Sequence, residues 1–143
     1  MPVVPIDQSA VGVDLSPRIQ LTTSITGSPA AASETIIATL NLTGFGNFSV
    51  VTGVDLTGWA AYTVGTNGTA VQLRIRQTNV AGTIVGNSGA LTGSQHGAAI
   101  LSADDCEGFD ATPGVAVYVL TMQVTSGSAT STVSAVKLRA IIV

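Results

Sequence analysis

From Arg18 to Val143 the apolar side chains fall on alternate positions in short runs, and no stretch shows the recurrence that would lay them along one face of a helix. A period of two is the signature of strands with one face buried. A chain patterned this way throughout is restricted to sheets packed on sheets. The expected fold class is therefore all-β: an antiparallel β-sandwich or jelly roll of about eight strands, preceded by an extended N-terminal arm.

The runs are explicit. In 35–42, Ile36, Ala38, Leu40 and Leu42 share a face and Thr35, Thr39 and Asn41 oppose them. Phe48, Val50, Thr52, Val54 and Leu56 repeat the pattern after a Gly44, Gly46, Asn47 turn, with Gly53 marking a bulge or a close backbone approach. Beyond Trp59 and Tyr62, the Asn67-Gly68 pair suits a tight hairpin turn. Val71, Leu73 and Ile75 then alternate with Gln72, Arg74 and Arg76. Shorter runs at 83–85 and 98–101 are separated by the turn-rich Gly86-Asn87-Ser88-Gly89 and 92–94. The segment 102–114 holds Asp104, Asp105, Glu107 and Asp110, half of the eight acids, and reads as a loop. The run 115–125 is apolar on both faces, as in a central strand. Last, Val136, Leu138, Ala140 and Ile142 alternate with Lys137, Arg139, Ile141 and Val143.

Residues 1–17 differ. Pro2, Pro5 and Pro17 fix φ and remove donors, while Val3, Val4, Ile6, Val11, Val13 and Leu15 form apolar islands too short for an element. The division expected is an extended arm over 1–17, with a disordered tail as the plainer alternative, and a sandwich domain over 18–143.

Composition decides what such a domain does with its surface. Only 9% of the 143 residues are charged, against about 25% in an average soluble domain, yet no run reaches the ~20 apolar residues of a membrane helix. Much of the surface must be Ser, Thr, Asn and Gly, or be covered by another protein. Covering points to a subunit of a permanent assembly, with itself as first partner. Five basic residues and a net charge of −3 give no footprint for nucleic acid. The single cysteine, Cys106, excludes an internal disulfide. The N-terminus lacks a basic region ahead of an apolar stretch, so cytosolic synthesis without a secretory signal is expected.

Candidate sites are few. Cys106 and His96 are the sole thiol and imidazole, and nucleophilic catalysis would need them within hydrogen-bond reach; nothing around either forms a nucleophile motif. One Cys and one His do not make a structural zinc site. The acids of 104–110 could offer oxygen ligands to calcium, but in no defined loop spacing, and as neighbours they are poorly placed to oppose each other across a glycosidase cleft. They read as a solvated loop. Trp59 and Tyr62 could stack on a sugar, although core packing is the simpler reading. Sequons at Asn41, Asn47 and Asn67 read as chance in a chain rich in Thr and Ser. No catalytic residue, metal or cofactor is expected. Arg74 and Arg76, with Lys137 and Arg139, are the polar candidates for a subunit interface. Ile141 and Val143 join them, because so apolar a terminus belongs in a core or at a subunit contact.

Gly53-Val54-Asp55-Leu56, 71–76, Tyr118-Val119-Leu120-Thr121 and 136–141 together resemble the small jelly-roll structural proteins of tailed bacteriophages, over about residues 35–143. That group includes capsid decoration (cement) proteins and fibre-tip domains, many of them trimeric, and none carries catalytic residues. The resemblance implies a non-enzymatic virion protein, made in the host cytoplasm, that binds the outside of the shell as a homotrimer. Its partners would be its own copies and a major capsid or other virion protein, and the arm would contact the shell or a neighbouring subunit. A receptor-binding fibre tip or carbohydrate-binding module is the alternative.

Overall fold

The computed structural model describes residues 18–27, 33–43, 52–64, 70–92, 100–126 and 131–143. Outside them lie the arm 1–17 with its islands Val3, Val4, Ile6, Val11, Val13 and Leu15, the turns expected around Gly46 and Asn67-Gly68, and His96. Eight strands are described: β1 Arg18–Thr22, β2 Thr35–Asn41, β3 Val54–Val64, β4 Ala70–Gln77, β5 Ile84–Thr92, β6 Ile100–Asp110, β7 Val117–Ser126 and β8 Ser131–Ile142. All pairings are antiparallel, in the order β1-β8-β3-β6-β5-β4-β7-β2.

The pairing is nested. β1 pairs with β8, β2 with β7, β3 with β6 and β4 with β5, as if one long hairpin had been rolled up. This is the jelly-roll way of hiding sheet edges. The order divides into two four-stranded halves, β1-β8-β3-β6 and β5-β4-β7-β2. Their seam is narrow: β5 and β6 meet through the single register pair Gly86 and Gly108. A Cβ on Gly108 would lie 2.4 Å from the Val85 carbonyl oxygen, and one on Gly86 2.7 Å from that of Glu107. Only glycine lets these two backbones approach so closely. On the opposite side the chain leaving β1 crosses to β2, where the Thr26 N–H donates to the Ile37 carbonyl at 2.9 Å.

Alternation builds the core between the halves. Val71, Leu73 and Ile75 from β4 face Leu56 and Ala60 from β3 and Leu138 and Ala140 from β8 as one buried cluster. Each fully buried Leu or Ile contributes ~1.5–3 kcal/mol relative to exposure. At Gly58 in β3 the two layers touch directly, since a Cβ there would sit 2.6 Å from Leu120 Cδ1 of β7. β7 is buried on both faces, with Tyr118, Val119, Leu120 and Met122 all essentially inaccessible, as its doubly apolar sequence requires.

Four readings change. The acidic segment is not a loop: residues 100–110 form β6, paired along β3 from Val54 with Asp110 to Val64 with Ile100. Acids disfavour strands, but alternation survives from Cys106 onward, with Cys106 and Asp110 buried and Glu107 and Phe109 exposed. Gly86-Asn87-Ser88-Gly89 does not separate two strands but lies inside β5, where the register with β4 shifts between Gln72 and Arg74. The Leu73 N–H donates to Ser88 Oγ at 3.0 Å, and Gly89 takes φ +71°, so turn chemistry is spent on a bulge. In β2 a bulge between Ile36 and Ala38 buries both Ile37 and Ala38, whereas Ile36 is only half-buried. Trp59, finally, is not a core residue; it faces outward, while Tyr62 is buried.

Candidate interaction surface

The outer faces of the two halves have opposite characters. On β5-β4-β7-β2 a network of charged and polar side chains is satisfied within the chain. Glu34, just ahead of β2, accepts from Arg76 Nε at 2.6 Å and Arg76 Nη2 at 2.9 Å, from Arg74 Nη1 at 3.0 Å and from Thr121 Oγ1 at 2.6 Å. Arg74 also donates to Gln123 Oε1 at 2.9 Å and to Gln72 Oε1, and Arg76 to the Gly82 carbonyl at 2.9 Å. Partial burial pushes the Glu34 carboxyl upward, but hydrogen bonds from Arg76 and Thr121 and the charges of both arginines outweigh it. Its pKa ends below the ordinary carboxylate value. Arg74 and Arg76 thus close a clamp across β2, β4 and β7.

A second polar cluster pins one end of the core. Asp110, 3% exposed, accepts from the Tyr118 hydroxyl at 2.8 Å, Gln77 Nε2 at 2.6 Å and the Thr112 N–H at 3.0 Å. It joins β6, β7 and β4. Burial, the hydrogen bond to Asp110 and its negative charge hold the Tyr118 phenol well above its ordinary value.

Among the described residues, none covers the outer face of β1-β8-β3-β6. Of the seven large hydrophobic side chains exposed among the described residues, four lie here: Ile19 at 59%, Leu21 at 50%, Phe109 at 54% and Val143 at 55%. Register places them in rows. Ile19 neighbours the half-buried Ile141, then Asp55 and Phe109; Leu21 neighbours Arg139, then Thr57 and Glu107. Val143 is hydrogen-bonded to Gly53 through both backbone groups, at 3.0 and 3.3 Å, and the Phe109 ring covers Gly53 so closely that a Cβ there would be 2.3 Å from Cζ. Lys137 Nζ stands 5.4 Å from the centre of the Trp59 ring, and Arg139 Nη2 donates to Thr57 Oγ1 at 3.4 Å. Lys137, Arg139, Ile141 and Val143 therefore share this face, while Arg74 and Arg76 belong to the other half.

The remaining candidates separate. Cys106 is 2% exposed among core side chains, and His96 lies outside the described residues. Among the described residues no group of three or more His, Cys, Asp or Glu is gathered to hold a metal ion. Trp59 and Tyr62 point to opposite faces of β3, so they share no sugar platform. Asn41 Oδ1 is occupied by the Thr43 N–H and hydroxyl. Ile19, Leu21 and Phe109 join the surface candidates only through the structure; the shared parity of Ile19 and Leu21 is the one signal of them in the sequence.

Among the described residues these features define an eight-stranded jelly-roll domain with one face knit by the Glu34 clamp and another that exposes large apolar side chains beside separate basic and acidic ones. The same fold occurs in infectious bursal disease virus, in the VP2 subviral particle (15% identity, TM-score 0.54) and in the Gx strain (13% identity, TM-score 0.53). Both alignments cover 99% of this chain, which spans only 37% and 36% of those capsid chains. No protein-family model matches the sequence, and no curated protein matches it.

Proposed function

We propose that this chain is a non-enzymatic structural protein of a virion. The observation that carries the reading is the nested jelly-roll topology, together with the likeness in fold, over 99% of this chain, to the VP2 subviral particle. Charge poverty and the large apolar side chains exposed on β1-β8-β3-β6 support it. More specifically, the protein decorates the outer surface of a viral shell as a homotrimer, in the manner of the phage cement proteins it resembles. Residues 1–17 reach the major capsid protein or an adjacent subunit through Val3, Val4, Ile6, Val11, Val13 and Leu15. Deletion of 1–17 is expected to leave a folded oligomer that no longer sediments with shells; a truncated chain that bound normally would remove the arm from the mechanism. The outward position of Trp59 favours one second reading, a receptor-binding or carbohydrate-binding module. Glycan binding abolished by Trp59→Ala, with no affinity for shells, would put that reading first.

A further inference from the structure

We infer that the outer face of β1-β8-β3-β6 is the surface on which copies of this chain meet, and that its two lateral halves are complementary to each other. The inference rests on the proposed self-association and names the surface that performs it. The β1/β8 half is aliphatic and basic, with Ile19, Leu21, Lys137 and Arg139 exposed. The β3/β6 half is aromatic and acidic, with Phe109, Asp55 and Glu107 exposed and Trp59 half-exposed.

Among the described residues no ion pair joins the two halves, although Asp55 lies diagonal to Arg139 across the β3–β8 pair. Arg139 and Glu107 occupy the same row but are separated by Thr57 of β3, a spacing of two strands or about 10 Å. Among the described residues neither Asp55 nor Glu107 forms an ion pair, in contrast to Glu34 with its two arginines. A face with charge of one sign on one side and of the other sign on the other is complemented when the basic half of one copy lies on the acidic half of the next. That contact also covers Ile19 and Leu21 with Phe109. Stacked about a two-fold axis such faces would meet isologously; where each copy gives its basic half to one neighbour and its acidic half to the other, as in the trimer proposed above, the contact is heterologous and closes into a ring when the rotation allows.

Sedimentation velocity of the full-length chain tests this. Arg139→Glu and Glu107→Arg are each expected to weaken association at least about tenfold, as like charges facing each other across an interface do. The double swap Arg139→Glu/Glu107→Arg is expected to restore it, and Leu21→Glu to abolish it. Thermal unfolding of each variant verifies that the domain still folds. Wild-type protein that sediments as a monomer at every concentration overturns the inference, as do single variants that associate like wild type. Binding to shells is read separately. Monomeric wild type that binds shells refutes this contact and spares the decoration reading, whereas an oligomer dissociated by Arg139→Glu that binds no shell supports the contact and removes that reading.

Discussion

Replacing Glu34 by Gln keeps the shape of the side chain and removes the charge on which four donors converge. Exposed ion pairs contribute about 0–1 kcal/mol, whereas removing one partner of a buried pair costs about 3–5 kcal/mol. The clamp lies toward the buried limit, because Glu34, Arg74 and Arg76 are only 14–15% exposed. It falls short of that limit because Arg74 retains Gln72 and Gln123, and Arg76 retains the Gly82 carbonyl. The loss expected is ~2–3 kcal/mol, or a fall in Tm of roughly 10 °C for a domain of this size. Urea unfolding at neutral pH measures it, as a lower midpoint with an unchanged m-value. The pH dependence supplies a second signature. A carboxyl whose folded pKa is depressed stabilises the native state above its unfolded pKa, and that contribution disappears as pH falls through the folded value. Wild type and Glu34→Gln should therefore differ most near neutrality and converge in acid. A loss below about 0.5 kcal/mol at neutral pH, or a gap that persists in acid, would refute the argument, since it would make the clamp an ordinary solvent-screened pair.

Two further outcomes follow from the core. Gly58→Ala is expected to cost ~1–3 kcal/mol, because its methyl would press on Leu120 Cδ1; in the presence of Leu120→Val the same substitution should cost measurably less, and strict additivity in chemical unfolding would count against contact between the layers. Tyr118 should stay protonated beyond the ordinary phenol range while the protein is folded. Its raised pKa contributes stability that is complete below the unfolded phenol value and lost as pH rises toward the folded one, so phenolate absorbance from Tyr118 should appear together with alkaline unfolding, and its appearance in folded protein at ordinary phenol pH would disprove the cluster with Asp110.

The strand faces of β4 and β8 were legible because Val71, Leu73 and Ile75, and Val136, Leu138, Ala140 and Ile142, keep strict parity. Parity also marks Trp59, which lies three positions from Leu56 and from Tyr62 and so falls on the opposite face from both. β6 was hidden because its acids have low strand propensity, and what makes it a strand is pairing with β3, some fifty residues away at Gly58 and Cys106. β5 was hidden because Gly86 to Gly89 carry the residues of a turn but are used for a bulge. The Glu34 clamp has no local signal. Its partners lie 40, 42 and 87 residues further along the chain, and only the rolled topology brings them to one carboxylate. The open face was half legible, as the alternation Lys137, Arg139, Ile141, Val143, but its acidic half depended on knowing that β6 was a strand.

Nested pairing also orders events during synthesis. The β4–β5 hairpin can close as soon as Thr92 has been made, and β6 can then add to β3, but β1 and β3 both wait for β8 between them. Until residues 131–142 leave the ribosome, Ile19 and Leu21 have no sheet to stand on, and the face that would recognise another copy does not exist. Translation thereby delays this face until the rest of the jelly roll is available to fold beneath it.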